Sequence, residues 1–360
     1  MSRKYDFGIV VGRFQPFHNA HQELIKDALN FADKVVIIFG SARSAPDVRN
    51  PFTPAMRQEM ISNCFPDDAE RFVFRQVRDY PYNDNFWVAE IQNIVAQVVA
   101  DNFAPLDEIQ EAMNPPKIAL IGHFKDRTSY YLNLFPQWGF EDFYRSSSKL
   151  NHLNAKDIRQ KFFLDDESWR ESLPKAIVEY LETFKTNDYF SVLQREFQYL
   201  QKYRADTKFV NAPYDAVFIT TDVVVVQSGH VLVIRRGHQP GKGLLALPGG
   251  FLQTGATLED SAIRELKEET SINIAVSVLK GSVKNSRVFD YPERSQRGRT
   301  ITFAYHIELQ ASLEKGLPSV KGGDDAAKAF WLPLSALGEM EEQFFEDHIH
   351  IIRYFLGIQS

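Results

Sequence analysis

Apolar and polar positions along this chain follow two regimes, and the change falls near residue 211. The first regime interleaves short, continuous apolar runs with helical patterns. FGIVVG (7–12) precedes a helical pattern from about Asn19 to Phe31, and KVVIIFG (34–40) precedes PAMRQEMISNCF (54–65). RFVFRQV (71–77), a long helical candidate from about Phe86 to Val99, and KIALIGH (117–123) continue the series. Continuous apolar strands separated by helices predict a parallel sheet covered on both faces, an α/β arrangement of the doubly wound kind. Ligands of such sheets sit at the carboxyl ends of the strands. GRFQPFH, GSAR and GHFKD each fall at such an end.

From about Leu153 to Phe184 the pattern is helical. NDYFSVLQREFQYLQKYRADTK (187–208) follows, with Leu193, Phe197 and Leu200 at helical spacing. It is too aromatic for a flexible linker and is read as a helical connector. Beyond Asn211, DAVFITTDVVVVQ and HVLVIRR are β-branched runs joined by SG, a hairpin signal. A Gly-rich loop, a helix from Leu258 to Thr270 and further strands such as RTITFAYHIEL complete an α+β unit. The predicted organisation is a first domain at 1–186, a connector at 187–210 and a second domain at 211–360.

Composition changes this picture little. The 360 residues, 44% hydrophobic and 24% charged, are those of an ordinary soluble protein, long enough for two domains. A net charge of −6 argues against a bulk nucleic-acid binder, which needs surplus Lys and Arg, but not against local basic pockets for small phosphorylated substrates. No stretch approaches the roughly 18 apolar residues of a membrane helix. The N-terminal apolar run lacks a small-residue cleavage site and is read as a first strand, not a signal peptide. The single cysteine, Cys64, excludes an internal disulfide and fits a reducing compartment, so the expected location is the cytoplasm. Oligomeric state is left open, a homo-oligomer included.

The first chemical constellation is GRFQPFHNAH (12–21). A helix N-terminus presents unpaired N–H groups and partial positive charge, which attract phosphate. His18 and His21 in its first turn add two donors on one face, Arg13 adds a cation, and Gly12 is expected to let the backbone approach a ligand. Such a group can hold a polyphosphate and stabilise charge at phosphorus without a nucleophilic side chain. Paired histidines near a helix start also occur as plain polar surface, and spacing alone leaves both readings open. Zinc is a poor fit, because no Cys or acidic partner lies nearby.

The stretch resembles the nucleotidyltransferase signature in which Gly-x-Phe-x-Pro-x-His leads into His-x-Gly-His. Gly12, Phe14, Pro16, His18 and His21 match, while Ala20 replaces the usual glycine. GSARSAPDVRNPFTPAMR (40–57), NDNFWVAEI (83–91) and GHFKDRTSYYLNLFPQW (122–138) are similar to blocks of archaeal-type nicotinamide mononucleotide adenylyltransferases. NAKDIRQKF (154–162) stands where that family opens a helix with Ser/Thr-x-Ile-Arg, Lys156 replacing the hydroxyl residue. The resemblance implies a Rossmann-like fold. It further implies that His18 and His21 are catalytic, and that Gly12, Arg13, Phe14, Arg57, His123, Lys125, Asp126 and Arg159 bind substrate. Asn85 and Trp87 would recognise and stack on the nicotinamide. The implied reaction is attack of the mononucleotide's 5′-phosphate on the α-phosphorus of ATP, with Mg²⁺ bridging the leaving pyrophosphate. For Trp87 core packing, and for Arg159 a solvated helix face, are the competing readings.

The second constellation is PGGFLQTGATLEDSAIRELKEETSI (248–272). At helical spacing Glu265, Glu268 and Glu269 share an arc of roughly 100°. Carboxylates that close repel unless a cation sits between them, and hard oxygen donors favour Mg²⁺, with Mn²⁺ also suitable. A Glu-rich surface helix is the alternative. The order of residues resembles the Nudix box, matched at Gly250, Arg264, Glu265, Leu266, Glu268, Glu269 and Ile272. Ala256 replaces its first glutamate and Ser271 its late glycine.

The Nudix resemblance implies metal held by Gly250, Glu265, Glu268 and Glu269, with Glu268 and Glu269 catalytic. Glu341, Glu342 and Glu346 are candidates for a general base. FDYPERSQRGRTITFAYH (289–306) looks like the arginine-rich segment of Nudix ADP-ribose pyrophosphatases fused to the adenylyltransferase. Arg294, Arg297 and Arg299 form a cluster suited to the phosphates or a ribose of a substrate, and Phe289 or Tyr291 could stack on its base; an exposed basic loop is the alternative. The expectation is a two-headed enzyme of NAD metabolism acting on ATP, nicotinamide mononucleotide and ADP-ribose, with neither nucleic acid nor membrane as partner. The alternative, motivated by Ala256 and Ser271, is an active adenylyltransferase whose Nudix domain senses ADP-ribose without hydrolysing it.

Overall fold

The computed structural model describes residues 3–102, 115–124, 127–142, 153–206, 215–311, 316–323 and 325–358. The chain divides into two compact units, Met1–Gln194 and Arg195–Ser360.

In the first unit β1 (Tyr5–Gly12), β2 (Ala32–Phe39), β3 (Phe72–Gln76), β4 (Ile118–Gly122) and β5 (Gly139–Asp142) form a parallel sheet ordered β3-β2-β1-β4-β5. The order reverses direction at β1, so the crevice beside its carboxyl end is where a doubly wound sheet takes its ligand. Helices α1 (Asn19–Phe31), α2 (Pro54–Cys64) and α3 (Asp84–Asn102) follow β1, β2 and β3. Ile9, Val36, Ile38 and Leu120 of the central strands pack with Ile91, Val95 and Val98 of α3 in one apolar cluster. Both faces of β1 and β2 are buried, which is why their sequences run apolar without alternation. Helices α4 (Ala155–Phe163) and α5 (Lys175–Lys185) account for much of the expected helical stretch before Phe184.

The segment expected as a separate connector is a helix, α6 (Asp188–Asp206), and the division between the units falls inside it. Leu193, Phe197 and Leu200 are buried.

The second unit is built on a mixed sheet of seven strands. β6 (Val217–Gln227) and β7 (His230–Arg236) form the expected hairpin, and Ser228 and Gly229 both take positive φ, 48° and 72°, as a tight hairpin turn requires. β8 (Leu245–Ala246) pairs with β7, and β9 (Gly249–Phe251) pairs with β6. Helix α7 (Leu258–Thr270) packs Ala262, Ile263 and Leu266 against Val223, Val225 and Leu232. Helix α8 (Val276–Gly281), β10 (Val283–Phe289), β11 (Arg299–Glu308), β12 (Ala326–Pro333) and helix α9 (His348–Leu356) complete the unit. Among the described residues no helix is long and apolar enough to cross a membrane.

Candidate active sites

The first site lies at the carboxyl end of β1. His18 is the N-cap residue of α1, and His21 is in its first turn. The two rings stack with centroids 3.5 Å apart. The backbone N–H of His18 donates to Nδ1 of His21 at 3.3 Å. An accepting Nδ1 places the proton of a neutral His21 on Nε2, so the ring offers a donor on its far edge.

Phe14 takes a positive φ of 51° and packs edge-on against His21 at 4.8 Å. Its ring lies where a side chain on Gly12 would stand, the ideal Cβ meeting Cζ at 2.9 Å. Gly12 is therefore small to admit Phe14, which corrects the expectation that it is small to admit a ligand. Phe14 itself is buried and shapes the loop from beneath.

The loop is stapled at several points. Gln15, which the sequence did not single out, exchanges two hydrogen bonds with the backbone of Phe52, at 2.8 and 3.0 Å. Arg159 of α4 donates to the carbonyl of Gln15, so its guanidinium stands at this loop and not on an open helix face. Asn154 caps α4 by accepting from the N–H of Lys156 at 2.9 Å, which explains how the helix starts without the usual hydroxyl residue.

Arg57 is not a substrate ligand. It is 1% exposed, and Nη1 donates to the carbonyls of Arg13 and Gly40, each at 2.8 Å. Burial lowers its pKa to about 10 against the pull of Asp79, and it fastens the loops after β1 and β2 together. Arg13 by contrast is exposed.

His123 follows β4 and pairs with Asp142 at 3.1 Å. Asn85 is exposed in the first turn of α3, while Trp87 is half-buried against Tyr131 and Phe135, so its ring borders the core. Lys125 and Asp126 lie outside the described residues.

The second site is a pocket in the second unit. Gly249, Gly250, Phe251 and Glu269 line it, with Asp222, Arg236, Arg294, Arg297 and His348. Both glycines are dictated by space. A Cβ on Gly249 would lie 2.3 Å from the carbonyl oxygen of Thr221 and 2.4 Å from Asp222 Oδ1, and one on Gly250 would lie 2.6 Å from the carboxyl carbon of Glu265.

The N–H of Gly249 donates to Glu269 at 2.9 Å. Burial pushes the Glu269 carboxyl up to about 8 even so, and Glu265 and Asp222 add to the rise. Arg264 grips both Glu265 and Glu268, at 2.5 Å each. Among the described residues no three acidic, histidine or cysteine side chains stand gathered as a metal cage. The donors are nevertheless all oxygen. The buried, charge-resisting Glu269, with Glu265 in the space over Gly250, is chemistry that a hard divalent cation would satisfy.

The arginine-rich segment divides three ways. Arg297 lines the pocket. Arg294 lines its base, but its side chain is 2% exposed and committed to Asp347 through Nε and Nη2, at 3.0 and 2.8 Å. Burial alone would lower its pKa, but Asp347 and Asp222 carry it upward, so it is a permanently charged support. Arg299 donates to the carbonyl of Asp290 and is not among the residues lining this pocket.

Phe289 is a correction: it is 0% exposed and packs against Tyr354 and Phe355, so it has no face for a base. Glu341 is held by Arg353 at 2.8 and 3.2 Å, and Glu342 is exposed. Glu346 is the candidate base that stands beside the pocket, 3.6 Å from Arg297.

Sequence reasoning missed Asp222, Arg236, His348 and Asp347. Asp222 had a signal, being the one carboxylate inside the apolar run of β6. Thr302 donates to it at 2.5 Å. Burial lowers the pKa of His348 despite nearby carboxylates, and its neutral Nδ1 accepts the N–H of Leu247 at 2.9 Å.

The comparisons with known proteins match a different family model in each unit. The cytidylyltransferase-like family model matches residues 9–119, and the NUDIX domain model matches 218–355. The nicotinamide/nicotinic acid mononucleotide adenylyltransferase of Acinetobacter baylyi is 32% identical over 203 residues, 56% of this chain and 95% of that protein. The ADP-ribose pyrophosphatase of Methanocaldococcus jannaschii is 31% identical over 138 residues, 38% of this chain and 72% of that protein.

A crystal structure of a bifunctional NMN adenylyltransferase/ADP ribose pyrophosphatase from Francisella tularensis superposes with a TM-score of 0.85 at 32% identity, covering 98% of this chain and 99% of that one. A second structure of that protein, complexed with AMP and a manganese ion, gives 0.83 at 31% identity, with the same coverage. With both family models matched and both units superposing on one such protein, the chain belongs to the family of bifunctional NMN adenylyltransferase/ADP ribose pyrophosphatases.

Proposed function

We propose that the first unit transfers the adenylyl group of ATP to nicotinamide mononucleotide, and that the second hydrolyses ADP-ribose to AMP and ribose 5-phosphate with a divalent cation, Mg²⁺ or Mn²⁺. The observation that carries the first half is the His18–His21 pair at a helix N-terminus beside the carboxyl end of β1. The α1 N-terminus and Nε2 of His21 offer donors for phosphate oxygens, and Arg13 adds an exposed cation. The mononucleotide's phosphate attacks the α-phosphorus in line, and pyrophosphate leaves with its charge met by these groups and Arg159. Catalysis here is positioning and charge stabilisation, with no covalent intermediate on the protein.

In the second unit Glu265, Glu268 and Glu269, with the backbone of Gly250, would hold the cation. That cation, when bound, supplies Lewis-acid stabilisation of the pyrophosphate and lowers the pKa of a bound water. The chain's own part is to keep Glu269 fixed through Gly249, to neutralise phosphate charge with Arg297 and Arg236, and to offer Glu346 as a proton acceptor.

Chromatography of full-length protein with ATP plus nicotinamide mononucleotide, and separately with ADP-ribose, each with Mg²⁺ or Mn²⁺, tests both halves. NAD and pyrophosphate are expected from the first, and AMP from the second. Binding of ADP-ribose without AMP release across metals and pH would replace the hydrolase by a sensor.

A further inference from the structure

Tyr199 and Tyr203 stand one turn apart on α6, in the part of that helix belonging to the second unit and outside the stretch matched by the NUDIX model. Both line the pocket that holds Glu269. Their rings are 6.1 Å apart and tilted by 30°. Tyr203 continues to Phe218 at 6.4 Å, and Phe218 to Phe251 at 5.9 Å. The guanidinium of Arg297 lies 5.4 Å over the ring of Phe251. The result is one aromatic wall running from α6 to β9, with a cation at its edge.

Core packing does not account for the tyrosines. The buried side chains of α6 are Phe190, Leu193, Glu196, Phe197 and Leu200, whereas Tyr203 is half-buried and Tyr199 stays 37% exposed. The helix is also tied to the arginine loop, since Arg204 donates through Nε and Nη2 to the carbonyl of Gln296, at 3.0 and 2.6 Å, next to Arg297.

We propose that Tyr199 and Tyr203 form the nucleobase wall of the hydrolase pocket and take a purine by stacking. This rests on the ADP-ribose reading above. The carboxylates over Gly249 and Gly250 define the pyrophosphate end, and a planar base joined to it needs an apolar, polarisable face at the other. Arg297 closes that face from the edge, where a guanidinium interacts with both ring and phosphate. The helix that joins the units is thus part of one active site, and a hydrolase domain begun at residue 211 lacks a wall of its pocket.

The test uses the full chain. Tyr203→Ala is expected to raise KM for ADP-ribose about tenfold while kcat stays within about twofold. Inhibition by AMP weakens by the same factor, and inhibition by ribose 5-phosphate, which has no base, does not change. Tyr203→Phe keeps the ring and behaves as wild type; Tyr203→Leu keeps bulk without the ring and behaves as Tyr203→Ala. An unchanged KM, equal weakening of both inhibitors, or a wild-type Leu variant would overturn the wall. If wild type left ADP-ribose intact, the hydrolase reading would fall by itself. AMP affinity of wild type and Tyr203→Ala, measured by titration calorimetry, would then still decide the wall.

Discussion

Glu269 accepts the backbone N–H of Gly249 at 2.9 Å while its carboxyl is pushed up to about 8 by burial. Between the ordinary value of 4.5 and 8 the folded protein thus holds a proton there that the unfolded chain has lost. By linkage, stability contributed by the neutral carboxyl is complete below about 4.5 and is lost as pH rises through 8. Metal-free protein should therefore show a Tm that falls over this interval, and Glu269→Gln should flatten the fall. A divalent cation favours the ionised carboxylate, so its stabilising effect should be larger at pH 8 than at pH 6. Calorimetry with and without chelator reads all three. A slope unchanged in Glu269→Gln would place the titration elsewhere.

His21 is fixed by its own helix start, Nδ1 accepting from the N–H of His18, with Phe14 edge-on against the ring. The Nε2 edge carries the proton that a substrate phosphate would accept. His21→Ala should lower adenylyl transfer by about 10²–10³, the usual scale for removing one preorganised donor. Hydrolysis of ADP-ribose should be unaffected. Retention of more than about a tenth of the transferase turnover would remove His21 from the phosphate site.

Periodicity and motif order made the architecture legible: the buried runs of β1 and β2, the Ser228–Gly229 turn and the helix Leu258–Thr270 are where the sequence put them. Direction was not legible. A motif says that Arg57 and Arg294 are present, but only the fold shows that one is turned into backbone carbonyls and the other onto Asp347. Phe289 closes a strand whose middle is exposed, yet its own ring faces the core. Tyr199 and Tyr203 were hidden because the apolar stripe of α6 gave the segment a sufficient structural explanation.

Arg57 offers a test of loop fastening as distinct from substrate contact. Its guanidinium joins the carbonyls of Arg13 and Gly40 in a buried setting beneath the ring of Phe39, 5.1 Å away. Arg57→Ala leaves those acceptors unsatisfied and should cost about 3 kcal/mol. Arg57→Lys cannot span both and should recover only part. Chemical denaturation followed by probes in the first unit gives the measurement. Full stability with a raised KM for ATP would instead make Arg57 a substrate ligand.

Ser271 ends α7 in the left-handed conformation, φ 46° and ψ 29°, where the family pattern has glycine. A residue with a Cβ is strained there, whereas glycine adopts the conformation freely but loses more entropy on folding. The helix end is otherwise well satisfied: Ser271 N–H reaches Lys267 O at 2.9 Å, Lys321 N–H reaches Thr270 O at 2.8 Å, and Gly323 N–H reaches Glu269 O at 3.1 Å. Because these bonds use backbone only, Ser271→Gly keeps them and removes the strain, for a net gain of roughly 0.5–1 kcal/mol. Ser271→Val, β-branched at positive φ, should lose more than that. The carboxylates lie upstream on the helix, so kcat/KM for ADP-ribose should hold within about twofold in Ser271→Gly. Urea denaturation decides the stability order. A destabilised glycine variant would mean that the serine side chain, and not only its backbone, closes the helix.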